Sequence, residues 1–72
     1  MDPVKQKINI GQAISAVRRE KHLTQLRVSQ MTGLSKNYIS DIENGRCAPS
    51  LKALTKLAEC LELDHNFLSL RT

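Results

Sequence analysis

The 72-residue chain is sparing in the residues that would mark most other classes of protein. It has three Gly, two Pro and one Phe within a 40% hydrophobic composition, which is globular and neither fibrous nor disordered. Its two cysteines, Cys47 and Cys60, lie too far apart for a metal knuckle, and His22 and His65 complete no zinc spacing. Both thiols are therefore expected to be free in a reducing compartment, and no metal or other cofactor is expected. No apolar run is long enough to span a membrane, and Met1-Asp2-Pro3-Val4-Lys5 lacks the apolar stretch of a signal peptide. The expected location is the cytoplasm. No Ser/His/Asp or Cys/His set, no paired carboxylates and no glycine-rich phosphate loop is present, so an enzyme is not expected. No segment sustains apolar–polar alternation, so no sheet is expected.

What the chain does have is charge and helical periodicity. Lys and Arg number 11 against 7 acidic residues, a net +4 that permits a polyanionic partner without requiring one. The length allows one domain with a limited core, for which pairing with a second copy would add stability. Residues 1–8 read as a flexible arm and 9–72 as a single domain. Ile10, Ala13, Ile14 and Val17 recur at the spacing of one helix face and predict a first helix over 10–21. Thr24 can cap a second helix, 25–31, with Val28 and Met31 turned inward, and Gly33 suits the left-handed residue that ends it. Ser35 can cap a third, 36–44, with Ile39 and Ile42 inward and Gly45 at its stop. Ser50 can cap a fourth carrying Leu51, Leu54, Leu57, Ala58 and Leu61 on one face, and Asp64 a fifth with Phe67, Leu68 and Leu70. The expected fold is all-α, with five short helices.

Within residues 24–45, two short helices flank a glycine-containing turn, the local signature of a helix-turn-helix. Such a motif lays its second helix in the major groove, where base pairs are distinguishable. In the third helix Ile39 and Ile42 face one way, while Asn37, Asp41 and Asn44 face the other with Lys36 and Ser40 beside them. Those polar groups can bond base edges or phosphates, and a merely solvated helix would look similar.

The run from Leu23 to Gly45, Leu-Thr-Gln-Leu-Arg-Val-Ser-Gln-Met-Thr-Gly-Leu-Ser-Lys-Asn-Tyr-Ile-Ser-Asp-Ile-Glu-Asn-Gly, resembles the phage repressor and Cro (xenobiotic-response-element type) helix-turn-helix family. Ile10-Gly11 with Ile14 and Arg18 looks like that family's first helix, and Ala48-Pro49-Ser50-Leu51 with Leu54, Leu57-Ala58 and Leu61 like its fourth. The resemblance runs from about residue 9 to 70 and implies a compact, five-helix, lambda-repressor-like domain. It also implies roles. Ser35, Lys36, Asn37, Ser40 and Asp41 match base-reading positions, and Gln25, Asn44 and Arg46 match positions that hold the DNA backbone. Arg18 and Glu43 match a structural ion pair between the first and third helices. Chemically, Lys36 can donate to guanine, Asn37 can bond adenine bidentately, and ionised Asp41 can only accept, with cytosine N4 as its partner.

Alternatives stay open for several of these. Gln25 can simply solvate a helix start, and Asp41 can bond Asn37 or Lys36 instead of a base. The Tyr38 hydroxyl can reach a phosphate, or its ring can cover the second helix. Lys5 and Lys7 can enter a minor groove or belong to a tail. Positions 26 and 27 are often acidic in relatives but here are Leu26 and Arg27, and Ser29 stands where Ala is usual. Arg27 opposes the helix dipole, which suggests a phosphate contact.

The expected function is a sequence-specific regulator of transcription that binds double-stranded DNA as a homodimer on a palindromic operator, with RNA polymerase as a further partner. The resemblance points to stand-alone phage repressors and to restriction-modification controller proteins. The 72 residues leave no room for a second domain, so pairing is expected through Leu63, Phe67, Leu68 and Leu70, with core packing as the alternative for Phe67 and Leu68. The rival function is a protein-interaction module, an antitoxin or adaptor on the same fold.

Overall fold

The computed structural model describes residues 3–63, with side chains from Ile10 onward. Among these the chain forms four α-helices and no strand: α1 Pro3–Glu20, α2 Gln25–Thr32, α3 Lys36–Glu43 and α4 Leu51–Leu61. The count among the described residues is four, not the expected five. The helix expected after Asp64, with Phe67, Leu68 and Leu70, lies outside them. α1 also starts inside the segment expected as an arm. Proline is preorganised for the first helical position, and Lys5, Gln6 and Lys7 are good helix formers, so nothing local stops the helix from beginning there.

Hydroxyl side chains set the other three starts. Thr24 Oγ1 accepts from the Arg27 N–H at 3.0 Å, Ser35 Oγ from Tyr38 at 3.0 Å and Ser50 Oγ from Ala53 at 3.1 Å. Each cap satisfies an N–H that has no intrahelical acceptor, a contribution of about 1 kcal/mol. α2 ends at Gly33, at φ 79°, whose N–H returns to the Ser29 carbonyl at 2.9 Å. α3 closes through Gly45, at φ 75°: the Gly45 N–H bonds the Ile42 carbonyl at 3.1 Å and the Arg46 N–H the Asp41 carbonyl at 2.9 Å. That is a Schellman closure, which turns the chain back along the helix it ends. α1 and α4 end instead on left-handed non-glycine residues, His22 and Glu62, each at φ 58°.

The core is a cluster of Ile14 from α1, Val28 from α2, Ile39 and Ile42 from α3, and Leu57 and Leu61 from α4. Full burial of side chains of this size contributes roughly 1.5–3 kcal/mol each. Two inward expectations fail. Met31 is 48% exposed, because Val28 takes the buried position of two-turn α2 and Met31 lies further round, with its Sδ 3.9 Å from Cys60 Sγ. Leu51 is 75% exposed. At about 100° per residue it sits to one side of Leu54, whereas buried Ala53, Leu57 and Leu61 all lie to the other.

Gly11 sets how closely α1 approaches α3. A Cβ built there would overlap the carbonyl oxygen of Ile42 and come within 3.1 Å of the Glu43 carbonyl. Both obstacles are backbone, which cannot swing aside. An exposed helical glycine normally gains stability on becoming alanine. Gly11→Ala is instead expected to destabilise the fold by about 1–3 kcal/mol, as overpacking does. Urea unfolding followed by circular dichroism measures it, and a rise in midpoint would disprove the close approach.

Candidate nucleic-acid interface

Two hydroxyls stitch the turn between α2 and α3. Ser29 Oγ donates to the Leu34 carbonyl at 2.6 Å. Thr32 Oγ1 donates to the Val28 carbonyl at 2.7 Å and accepts from the Leu34 N–H at 3.2 Å. Ser29 is thus more than a tolerated replacement for alanine, since it occupies a turn carbonyl that would otherwise need another donor.

The far end of α3 is held by a buried ion pair. Arg18 Nε donates to Glu43 Oε2 at 2.7 Å and Arg18 Nη2 to Oε1 at 3.0 Å, the two-pronged geometry a guanidinium favours. Arg18 Nη1 donates to the Leu23 carbonyl at 2.7 Å, and Gln25 Nε2 donates to Glu43 Oε1 at 3.0 Å. One carboxylate therefore ties α1, the first residue of α2 and the end of α3. The side chains of Arg18 and Glu43 are only 11% and 5% exposed. Burial pushes the Glu43 carboxyl up, but the hydrogen bonds from Arg18 and Gln25 with the guanidinium charge outweigh it and hold the group below the usual carboxylate range. The hydrogen bond to Glu43 raises Arg18 against its own burial.

With both ends fixed, α3 buries Ile39 and Ile42 and leaves Ser35, Lys36 and Asn37 exposed, with Ser40 and Asp41 partly so. Several of these groups engage one another. Asn44 Nδ2 donates to the Ser40 carbonyl at 2.8 Å and to Ser40 Oγ at 3.3 Å. Arg46 Nη1 lies 3.3 Å from Asp41 Oδ1. Asp41 is thus bonded neither to Asn37 nor to Lys36. The half-buried Tyr38 ring packs against the core, and its hydroxyl accepts from the Ser50 N–H at 3.0 Å, tying α3 to the start of α4. The hydroxyl hydrogen is left to donate.

Arg27 is not brought to this group. Two positions after Gln25 it lies about 200° round α2, close enough to Cys60 for its charge to act on that thiol, which burial pushes up. Lys5 and Lys7 lie where side chains are not described, and so do Phe67, Leu68 and Leu70, while Leu63 is half-buried against the core. The structure also brings in residues that the sequence reading passed over. Gln12, Ser15 and Arg19 of α1 line an open cleft of about 330 Å³ together with Gln25, Glu43 and Asn44. Their spacing of three and four was a readable signal, a polar stripe beside the apolar one. Among the described residues no group of three His, Cys, Asp or Glu could hold a metal, and no helix is long and apolar enough to cross a membrane.

Comparison with known proteins bears on this surface. A family model described as helix-turn-helix matches residues 14–68. The chain is 44% identical over 61 residues to the ImmF control region 10 kDa protein of Bacillus phage phi105, covering 85% of this chain and 68% of that protein. It is 41% identical over 54 residues to the Immunity repressor protein of the same phage, 75% of this chain but only 38% of the repressor's length. Over 56 residues it is 39% identical to the Uncharacterized HTH-type transcriptional regulator y4dJ of Sinorhizobium fredii, 78% of this chain and 73% of that protein.

The buried pair makes stability depend on pH in a signed way. Glu43 holds its proton less readily folded than unfolded, so its contribution is complete above the ordinary value of 4.5 and is lost as pH falls through its lower folded value. Glu43→Gln is expected to cost about 3–5 kcal/mol at neutral pH by leaving Arg18 buried without its counter-charge, and to flatten the acid limb of the stability curve. Thermal melts of both proteins between neutral and acidic pH check this, and parallel curves would refute it.

Proposed function

The chain belongs to the helix-turn-helix family, and on that premise we propose that it is a sequence-specific DNA-binding regulator of transcription that acts as a homodimer on a palindromic operator. The observation that carries the reading is the exposed polar flank of α3, held at both ends by the stitched turn and by the buried Arg18–Glu43 pair. A helix held so firmly can insert into the major groove without losing its aim. Lys36, Asn37 and Asp41 then read base edges, with Ser35 and Ser40 beside them. Gln25, Asn44, Tyr38 and Arg19 hold phosphates, with the cleft between α1 and the start of α2 as the seat of the backbone. The names of the phage relatives, a control-region protein and an immunity repressor, support a regulatory role.

One such domain touches only a few base pairs, too few for the ~10⁻⁸ M or tighter affinity of specific operators. Two copies about a two-fold axis, with half-sites about one turn apart (~34–36 Å), supply the rest. The bound dimer represses by blocking RNA polymerase or activates by touching it, within the cytoplasm where the template lies. A second reading, a protein-interaction module such as an antitoxin or adaptor, draws on the exposed Leu26 and Met31 of α2.

Selection of bound duplexes from random DNA at fixed salt is expected to return an inverted repeat. Alanine at Lys36, Asn37 or Asp41 is expected to weaken discrimination by about 1–3 kcal/mol at one base pair each. Unchanged preferences in all three variants would defeat the reading. Arg19→Ala is expected to lower the salt slope of binding by about one, because one phosphate contact is lost. Arg27→Ala, on the other side of α2, is expected to leave it as it was.

A further inference from the structure

We propose that Asp41 and Arg46 act as one reading unit for a single G·C base pair, which moves Arg46 from the DNA backbone to a base edge. The inference rests on the reading of α3 as the helix that enters the major groove. It starts from the Schellman closure at Gly45, which sends the chain back so that the Arg46 N–H bonds the Asp41 carbonyl at 2.9 Å. The side chain follows the same path, and Arg46 Nη1 comes within 3.3 Å of Asp41 Oδ1. Residue 46 thus returns to residue 41 through both backbone and side chain, alongside the exposed flank of α3 rather than out in the loop.

The pair presents donors and an acceptor next to each other. A guanidinium carries five N–H donors, so the one turned to Asp41 leaves a fork free, and Asp41 keeps its second oxygen as an acceptor. The major-groove edge of a G·C pair offers the matching set, two acceptors at guanine N7 and O6 beside the N4 donor of cytosine. Arg46 donates to the guanine and Asp41 accepts from its cytosine. An A·T pair offers one acceptor and a donor from adenine where the fork needs two acceptors, so it fits worse. Pairing also removes a difficulty with Asp41 alone. A lone carboxylate among phosphates is repelled, and the Arg46 charge offsets it without filling both oxygens.

The test uses the full chain and the operator half-site recovered by selection from random duplexes at fixed salt. The expected site contains one invariant G·C pair whose replacement by A·T weakens binding on the order of 10- to 100-fold. Arg46→Ala and Asp41→Ala should each flatten the preference at that same pair, with no further loss in the double variant. Arg46→Lys keeps the charge but not the fork, so it should flatten the preference while leaving the salt slope intact. The Arg46 side chain is 66% and the Asp41 side chain 46% exposed, and neither belongs to the apolar core, so these variants retain the fold. A uniform loss of affinity across all sequences on Arg46→Ala, with the salt slope reduced by about one, makes Arg46 a phosphate contact and overturns the unit while leaving the reading of α3 standing. Preferences flattened at two different pairs also overturn it. A wild-type protein without sequence preference overturns the proposed function itself.

Discussion

The Arg18–Glu43 pair is the interaction on which the placement of α3 depends. α3 is a two-turn helix that offers the core only Ile39, Ile42 and part of Tyr38. Apolar contact is non-directional, and so short a seam would tolerate small slides and rotations. A two-pronged, charged hydrogen bond does not, because both oxygens must meet both nitrogens at once. Buried ion pairs add little net stability against an apolar alternative of the same shape, since desolvating the charges offsets the attraction. Here the gain lies in register. Gly11 sets the distance between α1 and α3, and Arg18 sets their alignment.

Around that anchor, the groups that face outward are largely organised before any ligand arrives. Gln25 is held by Glu43, Asn44 by Ser40, Arg46 by Asp41 and Tyr38 by the backbone of Ser50. Ordering a long polar side chain on binding costs about 0.5–1.5 kcal/mol, and groups already bonded have lost part of that freedom on folding. No such bond was found for Lys36 or Asn37 among the described residues, so these are the side chains left to adjust to the sequence they meet.

Local signals were legible and tertiary ones were not. Thr24, Ser35 and Ser50 could be read as helix starts because a cap acts within three residues of itself, and Gly33 and Gly45 as stops because only backbone geometry is at issue. The core members Ile14, Val28, Ile39 and Ile42 followed from periodicity. The same rule misplaced Met31 and Leu51, since periodicity defines a stripe but not where its centre faces or how far neighbouring helices cover it. The start of α1 at Pro3 escaped because that residue reads equally well as punctuation or as a first helical residue. The pairing of Asp41 with Arg46 and the cleft holding Gln12, Ser15 and Arg19 needed the path of the chain after Gly45 and the angle of α1. The angle of α1 is written in no short window, and the return of Arg46 to Asp41, though only five residues away, depends on how the chain closes at Gly45 and not on residue types alone. The pairing of Arg18 with Glu43, 25 residues apart, was accessible only through family resemblance.

The position of Tyr38 has a practical consequence for spectroscopy. The chain contains no tryptophan and a single tyrosine, so its near-ultraviolet emission arises almost wholly from that one ring. The ring sits on α3, half in the core, with its phenolic oxygen engaged by the first residue before α4. A fluorophore so placed reports on solvent access, on the α3–α4 junction and on anything that approaches α3, without the introduction of a label.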